Sequence, residues 1–162
     1  MKTQPSKSTE YIEKVITDYG DMLFRLCFVM LKNNADAEDA VQETVIRYMQ
    51  KAPEFADSEH EKAWLITTAK NKCLDLFRFR RRHPQDNMDY LQELPYEITD
   101  SGILDALMSL PEKYRLVLTL YYVEGYNTSE IAEIIKKSTS AVKMRMQKGR
   151  KLLKEIYGKE CI

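Results

Sequence analysis

Between Lys136 and Tyr157 the chain carries Lys136, Lys137, Lys143, Arg145, Lys148, Arg150, Lys151 and Lys154, with no Asp or Glu from Lys136 through Lys154. Cations at this density have an obvious use, the neutralisation of a phosphate backbone, which releases counterions and so drives binding. At about 100° per residue, Val142, Met146, Gly149 and Leu153 fall on one side of a helix, while Ser140, Met144, Gln147 and Lys151 point away. Lys143, Arg145, Lys148 and Arg150 flank that outward side. A helix that enters a DNA groove needs this division: an apolar seam to dock it, polar tips for base edges, and cations beside them for phosphate. A solvated basic face would share the composition, so the elements that position the helix must decide between the two.

Those elements are legible upstream. Gly125 permits a sharp turn, and Asn127 followed three residues later by Glu130 is a variant capping box ahead of Ile131, Ala132 and Ile135. A short helix therefore starts near Thr128. Lys136, Lys137 and Ser138 interrupt its apolar pattern, and the Ser138 hydroxyl can cap a second helix. Two amphipathic helices with so short a joint have the profile of a helix-turn-helix, which favours DNA binding over a bare solvated face.

The 162 residues suit one domain or two small ones, and 44% are hydrophobic, enough for a packed core. The formal net charge of zero hides an uneven distribution. Basic residues gather in Lys70–Arg82 and Lys136–Lys154, whereas Pro84–Glu112 has no Lys or Arg and carries Asp86, Asp89, Glu93, Glu97, Asp100, Asp105 and Glu112. Cys27, Cys73 and Cys161 are odd in number and lack ligand spacing, so neither disulfides nor zinc are expected and a reducing cytoplasm fits. Arg25 breaks the most apolar run, Met22–Leu31, well short of a bilayer span, and the N-terminal segment has no apolar signal core. His60 and His83 stand near no plausible nucleophile or ligand set. The expectation is a cytoplasmic protein with no catalytic residues, metal, cofactor or small-molecule substrate.

Taken in order, residues 1–8 read as a disordered tail. Ile12, Val15, Ile16 and Tyr19 recur at helical spacing up to Gly20, where that segment is expected to close. A second helix, Met22–Lys32, buries Leu23, Leu26, Cys27 and Met30; a third, from about Ala35 to Lys51, turns Ala37, Ala40, Val41, Thr44, Val45 and Tyr48 inward. Asp36, Asp39, Gln42, Glu43 and Arg47 are left for solvent or a partner. After a loop over Ala52–Glu59, a fourth helix to Arg82 has Ala63, Ile66, Ala69, Cys73, Leu74 and Phe77 on its apolar face. His83-Pro84 stops it. Residues 84–101, fully extended, would span about 60 Å, more than one turn of DNA at about 34 Å. A short helix near Ile103–Ser109 precedes one started by Pro111, with Tyr114, Val117, Leu118, Tyr121 and Tyr122 expected on its buried face. The fold class is all-α, with two small helical domains, 9–83 (a four-helix bundle) and 103–162 (the helix-turn-helix), joined by an acidic linker, 84–102.

Several segments together resemble a known family. DAEDAVQETVIRYMQK, AWLITTAKNKCLDLFRFRRR and LMSLPEKYRLVLTLYYVEGYNTSEIAEIIKKSTSAVKMRMQKGRKLLK resemble, in order and spacing, regions 2 and 4 of bacterial sigma factors of the extracytoplasmic-function group within the sigma-70 family. The likeness runs from about Tyr11 to Leu153. It implies a protein that is not an enzyme but binds core RNA polymerase, at the β′ clamp helices and β flap, and directs it to promoter DNA. It also implies an anti-sigma factor, often membrane-bound, as a partner.

The resemblance assigns Asp39, Gln42 and Glu43 to polymerase binding, although a solvated acidic face accounts for them equally well. It lays Lys70, Asn71, Lys72, Asp75, Arg78 and Arg81 on or beside the −10 element, with a flipped base held by the loop Ala52–Glu61. Trp64 fits either the core or a stacking platform, and Phe79 is open between the two. Recognition of −35 falls to the last helix through Ser140, Lys143, Met144, Arg145, Gln147, Lys148 and Lys151, where Met144 could touch a thymine methyl and Gln147 could pair with adenine. Lys136 stands where many relatives have a turn glycine, and Lys137 where they have an apolar residue; both are expected to loosen the turn and contact phosphate. Two rivals remain: a helix-turn-helix regulator with a helical sensor domain, which leaves the second basic helix unexplained, and a helical adaptor with no DNA role.

Overall fold

The computed structural model describes residues 9–82 and 106–160, the side chains of 80, 81 and 157–160 excepted. The expected tail at 1–8 and the linker at 84–102 lie outside these residues. Every regular element among them is helical. The chain divides into two compact units, 1–93 and 94–162.

The N-terminal unit packs α1 (Thr9–Leu31), α2 (Asn34–Lys51) and α3 (Ser58–Arg82) against one another. Gly20, expected to close a helix, lies inside α1, so three described helices stand where four were expected. A mid-helix glycine costs about 1 kcal/mol relative to alanine. Burying one large apolar side chain contributes about 1.5–3 kcal/mol, and Leu23, Leu26 and Met30 beyond the glycine are all fully buried. Packing therefore overrides the local breaker. Lys32, at φ 58°, ends α1, and the Asn33 side chain accepts from the Asp36 amide at 2.9 Å to start α2.

An aromatic cluster fixes the three helices. Tyr48 of α2 is 0% exposed. Tyr11 of α1 and Phe55 of the 52–57 loop stack on it at centroid distances of 6.2 Å each, and Trp64 of α3 meets it edge-on at 5.9 Å. The Tyr48 hydroxyl donates to Glu61 Oε2 at 2.8 Å. Burial first, and then this carboxylate, push the Tyr48 pKa far up, so it remains a phenol donor.

The C-terminal unit comprises α4, described over 106–109, α5 (Glu112–Leu118), a π-helical turn (Thr119–Val123), α6 (Thr128–Ile135) and α7 (Thr139–Glu160). The Glu124 amide bonds to the Thr119 carbonyl five residues back at 3.1 Å, the signature of a π turn. The extra residue in that turn shifts the register. Leu116, Val117, Leu118 and Leu120 fill the core, while Tyr121 and Tyr122, expected inside, are turned out to solvent. Close approach of α7 to α5 requires Gly149: a Cβ there would meet Leu118 Cδ1 at 3.0 Å and Tyr114 Cβ at 3.1 Å.

Arg115 is buried, and its Nη1 donates to the carbonyls of Met108 and Leu110, each at 3.1 Å. Burial pushes the guanidinium pKa down, with Glu112 opposing. The two carbonyls belong to the end of α4 and the residue after it, so this side chain ties α4 to α5. Arg115→Met keeps the stem and removes the donors. It should cost the C-terminal unit about 1–3 kcal/mol, read as a lower midpoint for that unit's transition in thermal unfolding, with the N-terminal unit's transition unmoved.

Candidate nucleic-acid interface

In the C-terminal unit the caps set the angle at which α7 is presented. The Asn127 side chain accepts from the Glu130 amide at 2.9 Å and the Glu130 carboxylate accepts from the Asn127 amide at 3.1 Å, the reciprocal box expected from sequence. Lys136 ends α6 at φ 56°, ψ 49°, the left-handed conformation that a glycine adopts at no steric cost. Its amide and that of Lys137 both bond to the Ala132 carbonyl, the latter at 3.0 Å. The turn is therefore made in full by a lysine, not loosened by it. Ser138 Oγ accepts from the Ala141 amide at 3.1 Å and starts α7 where the sequence placed it.

Val142, Met146 and Gly149 are buried against the unit's core, Leu153 of the expected seam is half-buried, and Ser140, Lys143, Met144, Gln147, Lys148 and Lys151 are exposed. Arg145 is half-buried at the edge of the same surface. Met144, 55% exposed, projects an apolar tip among cations. All seven residues singled out in this helix thus share one solvent-facing surface or its margin. Hydrogen-bonding tips, an apolar methyl and flanking positive charge are thereby gathered on one side of α7, the groups by which base edges in a DNA groove are read.

The N-terminal unit presents a second face between α2 and α3. Asp39, Gln42 and Glu43 are exposed on α2, and Asn71, Asp75 and Arg78 are exposed on α3. Lys72 Nζ lies 3.0 Å from Glu43 Oε2, and Arg78 Nη1 lies 3.4 Å from Asp75 Oδ1. Arg47, Thr68, Asn71, Lys72 and Asp75 line one depression; Asp39, Ala40, Glu43, Lys72, Asp75, Leu76 and Phe79 line the next. Residues assigned from sequence to two different partners therefore adjoin in one groove, with Lys72 and Asp75 common to both halves.

One candidate is misplaced. Lys70 is 3% exposed and belongs to the inner side of α3. With Ile66, Ala69 and Cys73, all buried, it completes the i, i+3, i+4, i+7 row of a helix's packed stripe, a signal its charge obscured. Arg81 falls within α3, but its side chain lies outside the described residues. Trp64 is half-buried, edge-on to Tyr48 and to Phe55, the latter at 6.0 Å, and Phe79 is 48% exposed on the groove's rim. The loop before α3 is anchored by Asp57, whose Oδ1 accepts from the His60 amide at 2.9 Å. That bond, with a second to the His60 ring, holds the Asp57 carboxyl below its usual pKa.

No group of three or more His, Cys, Asp or Glu suited to a metal ion occurs among the described residues, and none of their helices is long and apolar enough to cross a membrane.

A non-glycine residue in the left-handed region costs roughly 1 kcal/mol. Lys136→Gly should relieve it and raise the thermal midpoint of the C-terminal unit, while removing one cation from the entry to α7. The same variant should lower the slope of log DNA affinity against log salt by about 0.9, the loss of one phosphate contact, measured as binding across a salt series.

Residues 15–83 match the family model for Sigma-70 region 2, and residues 101–153 match that for Sigma-70, region 4. The ECF RNA polymerase sigma factor SigW of Bacillus subtilis is 30% identical, over 87% of this chain and 86% of the relative. RNA polymerase sigma factor SigV of the same organism is 29% identical over 90% of each. Among solved structures, sigma factor RpoE of Bartonella quintana, crystallised with the anti-sigma factor NepR, superposes with a TM-score of 0.76 at 21% identity, covering 91% of this chain and 97% of that one. CnrH, solved with the cytosolic domain of CnrY, gives 0.67 at 22% identity, over 91% and 88%.

Proposed function

The chain belongs to the extracytoplasmic-function group of the sigma-70 family, as an alternative sigma factor directing promoter-specific transcription, and from this we propose how its two units share the work. The outer side of α2, with Asp39, Gln42 and Glu43, docks on the β′ clamp helices of core RNA polymerase. The exposed side of α3, with Asn71, Lys72, Asp75 and Arg78, tracks the −10 element as it opens, and Arg81, further along the same helix, is assigned to the same element. The outward side of α7, with Ser140, Lys143, Met144, Arg145, Gln147, Lys148 and Lys151, reads −35, while the rest of that unit meets the β flap. Lys70, being buried, is given no DNA contact.

The observation that carries this reading is the pairing of two folded units, each presenting a polar or cationic helix side, with the acidic side of α2 against the first of them. A helix-turn-helix regulator would need only the second unit, and the matches to both regions disfavour it. The protein performs no catalysis of its own and takes no cofactor or small-molecule substrate. It works in the cytoplasm, where promoter and polymerase are. An anti-sigma factor, such as the one crystallised with RpoE of Bartonella quintana, would silence it by covering one or both of these surfaces.

Run-off transcription is the direct test: the protein added to core polymerase should start RNA at a cognate promoter, and an effect seen only with complete holoenzyme would point to the regulator instead. Within that assay the surfaces separate. Lys143→Glu with Arg145→Glu should weaken promoter binding at least tenfold, since about two phosphate contacts are lost and repulsion is gained, and leave pull-down of core polymerase intact. Asp39→Lys with Gln42→Lys should do the reverse. Equal losses in both assays for both variants would sink the division of labour.

A further inference from the structure

Arg150 of α7 is held by two tyrosines that come from a different element. Its Nε donates to the Tyr122 hydroxyl at 2.8 Å. Its guanidinium carbon lies 5.7 Å from the ring centroids of both Tyr121 and Tyr122, and the two rings meet edge-to-face at 4.9 Å. Both tyrosines are solvent-facing, Tyr122 at 60% exposure, and both belong to the π turn. Single π turns of this kind are rare and recur at functional sites.

The position of Arg150 gives the clamp a use. It lies seven residues beyond Lys143 and three beyond Gln147, in the same i, i+4, i+7 row along the exposed side of α7. Along the helix axis it stands about 4.5 Å past Gln147. Base edges are contacted by the N-terminal part of a recognition helix, so a cation this far along the row faces the sugar-phosphate rim of the groove. A free arginine loses side-chain freedom when it binds there. With Nε committed and two ring faces beside it, the planar fork of Arg150 is ordered in advance, and its Nη donors are those left for an acceptor.

From this geometry, and resting on the −35 assignment above, we infer that Tyr122 and Tyr121 are positioning residues that hold Arg150 ready for one phosphate of the promoter duplex. The contact is indifferent to base sequence and sets the register of α7 in the groove.

The test is the salt dependence of promoter binding by the holoenzyme reconstituted with core polymerase, measured for Arg150→Gln, Tyr122→Phe, the double variant and Arg150→Lys. Arg150→Gln should lower the slope of log affinity against log salt by about 0.9 and lose about eightfold in affinity near 0.1 M salt, as loss of one phosphate contact requires. Tyr122→Phe keeps the ring and removes the acceptor; it should weaken binding severalfold, and the double variant should be no weaker than Arg150→Gln alone, because the tyrosine acts through the arginine. Arg150→Lys should restore the slope but not the full affinity. Three results overturn the inference while wild-type holoenzyme still binds: an unchanged slope in Arg150→Gln, a lower unfolding midpoint as that variant's sole effect, or additive losses in the double variant. Failure of wild-type holoenzyme to bind any promoter with a salt slope would instead overturn the functional reading on which it rests.

Discussion

The N-terminal unit depends on the burial of one phenol. Tyr48 contacts α1 through Tyr11, the 52–57 loop through Phe55, and α3 through Trp64 and Glu61. A hydroxyl with no exposure needs a partner, since an unmade hydrogen bond there costs about 1–3 kcal/mol; the Glu61 carboxylate supplies it and so fixes where along α2 the first turns of α3 must lie. Once that register is set, Asp39 and Glu43 stand opposite Lys72 and Asp75, and the groove between them follows. The loop joining α2 and α3 inherits its shape from the same place: Phe55 is drawn under by Tyr48, and Asp57 closes the loop onto α3.

In the C-terminal unit a comparable constraint comes from close backbone approach. Gly149 lets α7 settle on Tyr114 and Leu118, which leaves the opposite side of α7 clear. The π turn then settles what the end of the preceding helix shows to solvent. Leu120 stays in the core, Tyr121 and Tyr122 do not, and the unit gains an aromatic shelf beside its cationic helix.

Much of this was legible because it rests on local chemistry. Asn127 with Glu130, Ser138 ahead of Ala141, and the Val142-Met146-Gly149 seam act within a turn or two of themselves, and each is found where its residues placed it. What escaped depends on tertiary balance. Gly20 reads as a stop, but burial beyond it outweighs its local cost. Lys70 reads as a cation for DNA, but its place in the Ile66-Ala69-Cys73 stripe takes it inside. Tyr121 and Tyr122 read as core under an unbroken 3.6-residue period, and no residue type announces a π turn. Lys136 shows a subtler limit: a left-handed position occupied by a long side chain, at an energetic cost a glycine would have avoided.

The ion pair between Glu43 and Lys72 has a genetic consequence. An exposed pair of this kind contributes little to stability, about 0–1 kcal/mol, yet it joins a carboxylate on α2 to a cation on α3 at 3.0 Å. Any allele that changes Glu43 frees Lys72 as well, and any allele at Lys72 leaves Glu43 uncompensated. Under the division of labour proposed above, screens that select for altered grip on one macromolecule will therefore return this pair alongside alleles selected for the other, and suppressors of a Glu43 substitution should be sought first on α3, at Lys72 and Asp75.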